Sequence, residues 1–400
     1  MEIAIYSISS ALHKEVAGEL RQDPFLNEVA AAGNIEMVFY GSDFSTYGRH
    51  PLSLIYIRTG GTESAFCKIY PSLKGRFLLL TSGESNSLAA SMEILSYLHQ
   101  QERQGEILHG KPSFVAQRIH QLEVVGQAET PRRRHRLGIV GAPSDWLVAS
   151  DPDRRALSRQ LDLDLIEIPM YEFLSEIRKK EPVEPPVDLR EPWDPATTRG
   201  ALEIYGALKR LVATHRLEGL TVRCFDLLTS VKNTGCLALA LLNSEGIPAS
   251  CEGDIPCMVS MLIAQHVAGV SGFMANPSRI DPDTGRMIFA HCTVPFNILS
   301  GWRFDTHFES GIGMAVKGIM PLGPVTIFKV SPDLRRRFIF ETMLTANPDE
   351  PTLCRTQVEI EVDRKAVKYF MTDPIGNHHI IIPGHWKKAL KAYLDHDKAS

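Results

Sequence analysis

The sequence passes repeatedly from a short apolar run, through a small polar turn, into a stretch with helical spacing of its apolar residues. Residues 54–57 lead into a turn rich in glycine and hydroxyl groups, and residues 77–80 lead into another at 81–87, which is followed by a helical pattern. Such alternation is typical of a parallel sheet with crossover helices. Because the same order resumes at residue 137, we predict an α/β protein that begins with two doubly wound α/β domains.

The pattern of predicted elements changes at about residue 285. Five strand-like runs are joined there by Gly, Pro and Asp turns, which favours a mostly antiparallel β domain, either a sandwich or a barrel. The runs are 286–290, 325–330, 336–341, 356–362 and 379–382. A chain of 400 residues is too long for one core. We therefore predict domains at 1–128, 136–284 and 285–400, with a polar, basic linker over 124–136.

Composition excludes several classes of protein. A formal net charge of −4 gives no general electrostatic reason to expect nucleic-acid binding. No run approaches 18 apolar residues and no signal-peptide pattern opens the chain, so we expect no membrane span. The seven cysteines include no CxxC pair, which favours free thiols in a reducing, cytoplasmic environment.

Two carboxylates, Glu252 and Asp254, flank Gly253 between a short apolar segment and an apolar helical pattern over 258–270. Ligands of open α/β sheets usually bind at this junction of strand and helix. A carboxylate placed there can accept helix N–H groups, coordinate a cation or move a proton. An ordinary N-cap at Asp254 beside a surface Glu252 is an equally open alternative.

Histidines stand at the ends of two later strand-like runs. His291 closes one run, and the pair His378 and His379 precedes another. Any one of them is more often structural than functional, but imidazole and carboxylate groups together are ligands of divalent metal ions. The sequence therefore predicts a metal site that includes Glu252.

The two glycine- and hydroxyl-rich turns of the first domain hold Thr59, Gly60, Ser85 and Asn86. Their backbone N–H groups could cradle a polyhydroxylated or anionic ligand. The alternative is a pair of tight turns with a helix N-cap at Ser85 or Asn86. Neither turn matches a nucleotide-binding motif.

Taken together, these blocks resemble the L-fucose isomerase and L-arabinose isomerase superfamily, in particular its short fucose isomerase-like members. The blocks are Thr-Gly-Gly-Thr-Glu (59–63), Ser-Asn-Ser-Leu-Ala-Ala (85–90), Val-Arg-Cys-Phe (222–225), Cys-Glu-Gly-Asp (251–254), Ala-His-Cys-Thr (290–293) and Gly-Asn-His-His (376–379). The resemblance implies a manganese-type divalent cation, aldose–ketose isomerisation of a carbohydrate through an ene-diol, and a homo-oligomer, a trimer or hexamer, with active sites between subunits.

The resemblance also implies roles for individual residues. Glu252 matches the glutamate that binds the metal and moves the proton, His291 matches a metal or sugar contact, and His378 or His379 matches the last metal ligand. The second acidic residue of the family falls at Asn276, unless a short slip brings in Asp281. An amide oxygen can bind a cation but cannot act as a base near neutral pH. The expected second proton carrier is then Asp226, Asp254 or His307, of which Asp226 and His307 are also expected to contact the sugar.

We therefore expect a cytoplasmic, metal-dependent sugar isomerase with Glu252, Asp254 and Asn276 as catalytic residues. Asn276 favours an alternative, a non-catalytic carbohydrate-binding or regulatory protein on the same scaffold. A third reading is an enzyme for a modified sugar or sugar acid, and it depends on basic side chains late in the chain. These are Arg279, Arg303 and Lys317.

Overall fold

A computed structural model describes residues 2–10, 19–127, 134–150, 154–189 and 193–396. The chain divides into two compact units, Met1–Pro131 and Arg132–Ser400. Residues 128–133 of the predicted linker lie outside the described residues. Among the described residues, no helix combines the length and the apolar character that crossing a bilayer requires.

The first unit is built on a five-stranded parallel sheet. Its strands are β1 (Glu2–Ile8), β2 (Glu36–Gly41), β3 (Ser53–Ile57), β4 (Phe77–Leu80) and β5 (Gly105–Leu108). Its helices are α1 (Pro24–Gly33), α2 (Glu63–Ile69), α3 (Ser87–Gln100) and α4 (Pro112–Gln127), with 3-10 turns at Glu19–Gln22, Tyr70–Ser72 and Glu84–Asn86. The spatial order β2-β1-β3-β4-β5 is a common doubly wound order.

Successive residues of β3 explain why this sheet needs helices on both faces. Leu54 and Tyr56 belong to one buried apolar cluster, whereas Ile55 and Ile57 belong to another. Because neighbouring side chains of a strand point to opposite faces, an uninterrupted apolar strand is buried on both sides. The apolar runs in the sequence therefore specify a sheet covered on both faces.

The second unit begins with a four-stranded parallel sheet. Its strands are β6 (His135–Val140), β7 (Leu163–Ile168), β8 (Gly219–Val222) and β9 (Ala249–Ser250), in the order β7-β6-β8-β9. The helices around it are α5 (Arg154–Leu161), α6 (Met170–Arg178), α7 (Pro195–His215), α8 (Asp226–Ser230), α9 (Cys236–Ser244) and α10 (Ile255–Ala268). Helix α10 is buried almost all round from Ile255 to Ala264, which its uniformly apolar sequence requires.

The remainder of the second unit contains a closed antiparallel barrel. Its strands are β10 (Phe273–Asp281), β11 (Arg286–His291), β14 (Gly323–Val330), β15 (Arg337–Ala346), β16 (Thr356–Glu361) and β17 (His379–Pro383), paired in the order β10-β11-β16-β15-β14-β17. A separate hairpin joins β12 (Gly301–Asp305) to β13 (Ala315–Ile319), after a 3-10 turn at Phe296–Ile298. Helices α11 (Arg364–Thr372) and α12 (Lys387–His396) complete the unit.

The predicted fold class is confirmed: parallel α/β sheets come first, and an antiparallel sheet closed into a barrel follows. The strand β10 was not predicted. It lies before residue 285, yet it pairs with β11 and β17 of the barrel. Its polar segment Asn276–Pro277–Ser278 interrupts the alternation that marks a strand, and Gly272, immediately before the strand, has a φ of +74°. The three predicted domain boundaries stay predictions.

Candidate functional site

The turn between β9 and α10 holds Glu252 in an unusual backbone conformation. Glu252 has a φ of +63° and Gly253 a φ of +73°, in the left-handed region that a glutamate seldom occupies. Two backbone hydrogen bonds hold the turn: Ser144 donates to the carbonyl of Glu252 across 2.9 Å, and Gly253 donates to that of Val222 across 3.0 Å. Strain of this kind is typical of functional sites.

Three side chains from distant parts of the chain meet at this turn. The ligand atoms of Glu252, His291 and His378 all lie within 4.8 Å of one another. Oε1 of Glu252 is 3.5 Å from Nε2 of His378 and 4.0 Å from Nε2 of His291. Both histidines are buried. This is a set of one carboxylate oxygen and two imidazole nitrogens around a common point.

Asp254 lies behind this cluster rather than in it. One oxygen accepts the backbone N–H of Cys257 across 2.7 Å, so the residue caps α10. The other oxygen is 2.9 Å from Nδ1 of His378 and 3.5 Å from Nζ of the buried Lys329. A carboxylate on the far nitrogen of a histidine fixes the orientation of the ring. The N-cap of the alternative is therefore found at Asp254, but Glu252 is buried and not at the surface. A second contact of Asp254 aims His378 at Glu252.

The surroundings favour the ionised form of both carboxylates. Burial alone would raise the pKa of Glu252, but His378, His291 and the indole N–H of Trp146 outweigh it and lower the pKa to about 2. Burial would also raise the pKa of Asp254, but the charge of Lys329 and the contact with His378 outweigh it and lower the pKa to about 2. Both groups are therefore anionic at neutral pH.

The pKa values of the two histidines of the cluster shift in opposite directions. Burial lowers the pKa of His291 to about 4, with a further contribution from the neighbouring His378. Burial also disfavours a charged His378, but the two adjacent carboxylates Asp254 and Glu252 outweigh that effect and raise its pKa. His291 therefore presents a neutral imidazole, and the nearby carboxylate of Glu252 favours a cation beside it.

Glu252 opens onto a pocket of about 350 Å³. The pocket is lined by Trp146, Phe225, Glu252, Asn276, Glu309 and Asn377. Trp146 follows β6 and Phe225 follows β8, the two strands between which the order of the parallel sheet reverses. A crevice at the carboxyl ends of strands beside such a reversal is the usual ligand site of α/β proteins. The barrel and its hairpin supply the other walls.

A larger cavity of about 600 Å³ lies elsewhere in the second unit. Its walls include Phe296, Trp302 and Leu299, and no lining side chain is an acid, a base or a thiol. Because it offers no group that could bind a metal or move a proton, size alone does not make it the candidate site.

The structure places Asn276 within the first half of β10 and Asp281 at the end of that strand. Asn276 lines the pocket, and its amide oxygen accepts a hydrogen bond from Nδ2 of Asn377 across 3.2 Å. Asp281 instead accepts backbone N–H groups of Asp283 and Thr284 in the exposed turn after the strand. Five positions along an extended strand separate the two residues, roughly 16 Å at the rise of a β-strand, so the pocket residue is the amide.

Of the predicted pair His378 and His379, only the first reaches Glu252. Nε2 of His379 is 2.8 Å from the hydroxyl of Tyr369, and Nδ1 is 3.0 Å from the carbonyl of Asn377. Adjacent residues at the start of a strand point to opposite faces. A metal-binding role for His379 stays a prediction that this placement does not support.

Two other predicted contacts lie beside the pocket without lining it. Asp226 forms an ion pair with Arg223 across 3.3 Å. His307 contacts the hydroxyl of Ser310 through Nδ1 across 3.0 Å, and its ring packs edge-on against Phe225 with centroids 5.5 Å apart. Both residues already have partners within the second unit, and their contact with a sugar stays a prediction.

The predicted turns of the first unit meet each other. The backbone N–H of Gly60 donates to the carbonyl of Ser85 across 2.7 Å, and the Thr59 hydroxyl accepts the N–H of Ser10. Ser85 and Asn86 are exposed, with φ values of 51° and 59°. Asn86 makes no side-chain cap to α3. A ligand-binding role for these turns stays a prediction.

Sequence reasoning missed three groups that contact the site. Trp146 donates its indole N–H to Oε2 of Glu252 across 2.7 Å. Glu309 adds a second carboxylate to the pocket from the loop between β12 and β13. Lys329 faces Asp254 from inside the barrel. A lysine within the otherwise apolar run of β14 was the one signal in the sequence, because a buried lysine requires a partner.

The residues present fit a divalent cation. Nε2 of His378 is buried and has no hydrogen-bond partner among the described residues, although it faces a carboxylate oxygen 3.5 Å away. An unsatisfied buried nitrogen is costly unless something binds it. Nitrogen and oxygen donors of this kind suit ions such as Mn²⁺ and Zn²⁺.

The chain is similar to proteins named sulfoquinovose isomerase. It is 24% identical to those of Priestia aryabhattai and Priestia megaterium over 318 residues, which cover 74% of this chain and 69% of each relative. It is 26% identical to that of a Clostridium species over 212 residues, which cover 50% of this chain and 47% of the relative. No family model matches the chain.

Proposed function

We propose that this protein is a divalent-metal-dependent sugar isomerase that interconverts an aldose and a ketose through an ene-diol. The observation that carries the proposal is the buried set of Glu252, His291 and His378 beside a pocket at the carboxyl ends of the parallel strands. The similarity to proteins named sulfoquinovose isomerase supports the same reaction class.

Glu252, His291 and His378 would hold the cation, with the amide oxygen of Asn276 as a further candidate at the pocket wall. A divalent cation such as Mn²⁺ supplies Lewis-acid stabilisation of the negative charge that develops on the sugar oxygens. Asp254 orients His378, and Trp146 holds the second oxygen of Glu252. Both are positioning residues in this proposal.

Isomerisation requires a group that takes a proton from one carbon and returns it to the next. Both oxygens of Glu252 are already engaged, because Oε2 accepts the indole N–H of Trp146 and Oε1 faces the two histidines. Glu309 also lines the pocket, and its carboxylate has no hydrogen bond or ion pair within the part of the chain that the structure describes. We therefore assign proton transfer to Glu309 and metal binding to Glu252. Asp254 is fully buried and Asp226 is paired with Arg223, which leaves them less able to serve.

The charge of the pocket lining bears on which sugar the protein binds. Sulfoquinovose carries an anionic sulfonate, yet the six lining side chains include two carboxylates and no cation. The basic residues considered from the sequence are engaged elsewhere: Arg303 and Lys317 pair with Asp349, and Arg279 pairs with Glu350. A sulfonate would need a cation from outside this lining. Uncharged hexoses and pentoses therefore belong in the substrate panel beside sulfoquinovose.

The test is exchange of the substrate C2 hydrogen with deuterated solvent, followed by NMR, on the Mn²⁺-loaded protein with a panel of aldoses and ketoses. Glu252→Gln should lose bound Mn²⁺ and exchange together. Glu309→Gln should keep bound Mn²⁺ but lower exchange by about 10²-fold or more, the usual contribution of a positioned general base. Glu184→Gln, at an exposed position, is the matched control and should change neither.

Asn276 in the pocket wall favours a second function, non-catalytic sugar binding on the same scaffold. Binding of a sugar without exchange by the wild-type protein would select that alternative. Full exchange in Glu252→Gln would refute the metal assignment, and full exchange in Glu309→Gln would refute the assignment of the base.

A further inference from the structure

A second cluster of metal-binding side chains lies at the other end of α10. His135 begins β6, Glu218 precedes β8, and His266 occupies the last turn of α10. Their ligand atoms all lie within 4.8 Å of one another. Because β6 and β8 run parallel, this cluster is at their amino ends, whereas Glu252 is at the carboxyl end of the sheet. His266 lies twelve positions after Asp254 along α10, roughly 18 Å at the α-helical rise.

The side chains of this second cluster lie close together and are partly accessible to solvent. Nδ1 of His135 is 2.8 Å from Oε2 of Glu218, and the two imidazole rings of His135 and His266 lie 4.7 Å apart between centroids. The side chains of His135 and Glu218 keep 25% and 32% of their exposure, so an ion from solvent could reach them.

One nitrogen of His266 already has a fixed partner. Its Nδ1 is 3.0 Å from the hydroxyl of Tyr393 on α12, which leaves the other nitrogen available. A metal-bound histidine is commonly held in this way by a hydrogen bond to its second nitrogen. The cluster thus offers three possible metal ligands, and one of them, His266, is held in place by the hydroxyl of Tyr393.

From this geometry we propose a second metal site, in which His135, Glu218 and His266 bind a Zn²⁺-type ion. Two imidazoles and one carboxylate, with a water in the fourth position, form a donor set that Zn²⁺ and Co²⁺ accept in tetrahedral geometry. The site joins the starts of two central strands to the end of the buried helix α10. The site shares no ligand with the Glu252 cluster, and none of its three residues lines the pocket beside Glu252.

The experiment compares two histidine variants of the full chain. His266→Gln removes one donor of the proposed site. His215→Gln is the matched control, because His215 also contacts a glutamate, Glu172, across 2.7 Å, but belongs to no three-donor cluster among the described residues. The number of Zn²⁺ ions bound per chain is measured by competition with a chromophoric chelator, and Co²⁺ absorption reports the geometry.

We expect His266→Gln to bind one ion fewer than His215→Gln, and to lose the rise in melting temperature that this ion gives the wild type. His135→Gln should lower the affinity of the same site by more than about tenfold. This difference between variants does not depend on whether the Glu252 cluster binds metal, so failure of the two proposals is distinguishable. Equal stoichiometry in His266→Gln and His215→Gln, with both variants folded by circular dichroism, would mean that His135 and Glu218 form an ordinary ion pair and would overturn the proposal.

Discussion

Trp146 reaches Glu252 from 106 positions earlier in the chain. Its indole N–H donates to Oε2 across 2.7 Å, while 52% of the residue stays exposed. The ring packs edge-on against Phe225, with centroids 5.0 Å apart. An exposed tryptophan that gives its one donor to a buried carboxylate favours the anion and leaves Oε1 to the histidines.

Trp146→Phe keeps the ring and removes the donor. Hydrogen bonds to a charged group contribute about 1.5–3 kcal/mol, and outer contacts of metal ligands commonly change metal affinity by about 10–100-fold. We expect Mn²⁺ affinity at pH 7 to fall by about tenfold, measured by isothermal titration calorimetry. Trp386→Phe is the control, because that indole donates to Pro383 outside the site. Equal affinities in the two variants would contradict this role for Trp146.

Lys329 contributes to the free energy of unfolding through its contact with Asp254. Only 1% exposed, it faces the fully buried Asp254 with 3.5 Å between charged atoms. Removing one member of a buried ion pair commonly costs about 3–5 kcal/mol, because the other charge is left without compensation. The contact between Asp254 and His378 offsets part of that cost.

We therefore expect Lys329→Met to lower the free energy of unfolding by about 3 kcal/mol, measured by urea denaturation with a chelator present. Adding Asp254→Asn should recover part of this loss, because asparagine still caps α10 and no longer carries a charge. Strictly additive losses in the double variant would show that the two side chains do not interact.

At the scale of elements, the turn before α10 fits closely against the loop after β6. A Cβ on Gly253 would lie 2.5 Å from the carbonyl oxygen of Ala142 and 2.6 Å from Cα of Pro143. Both are backbone atoms and cannot move aside as a side chain can. This close approach brings the loop that carries Trp146 against the turn that carries Glu252.

Helix α10 supplies a matched test, since a glycine with positive φ stands at each end. Gly269→Ala, with a φ of +70° and no neighbour within 4 Å, should lose only about 1–2 kcal/mol of unfolding free energy. Gly253→Ala has a similar φ of +73° and should lose about 1–3 kcal/mol more, because it must also displace the loop. Gly253→Ala should in addition weaken Mn²⁺ binding. Equal stability and equal Mn²⁺ affinity in the two variants would argue against the close approach.

At the scale of the whole molecule, the resemblance to sugar isomerases predicts assembly of several copies. We propose a homo-oligomer, a trimer or hexamer, in which the turns around Thr59 and Ser85 contribute to the site of a neighbouring copy. Light scattering of the full chain at micromolar concentration should give a mass three or six times the 44.5 kDa of one chain. A monomer at that concentration would be inconsistent with a site shared between copies.

The sequence by itself determined that parallel sheets come before an antiparallel one, and it determined the position of one key residue. Apolar runs, each followed by a polar turn and a helical pattern, specified parallel sheets, and the later runs joined by tight turns specified the antiparallel part. These are local signals, because periodicity and turn chemistry depend on residues close in sequence. The position of Glu252 between β9 and α10 also follows from residues close to it in the sequence.

Only the tertiary structure decided which of the candidate histidines face Glu252 and which residues without a motif lie beside it. His378 and His379 are adjacent in sequence, and the register of β17 with β10 and β14 sets which one faces inward. Trp146, Glu309 and Lys329 carry no local motif, and closure of the barrel and the parallel sheet brings them to the site. The physical reason is that a site of this kind is made of contacts between residues that are far apart in the sequence, and no periodicity in a single sequence records such contacts.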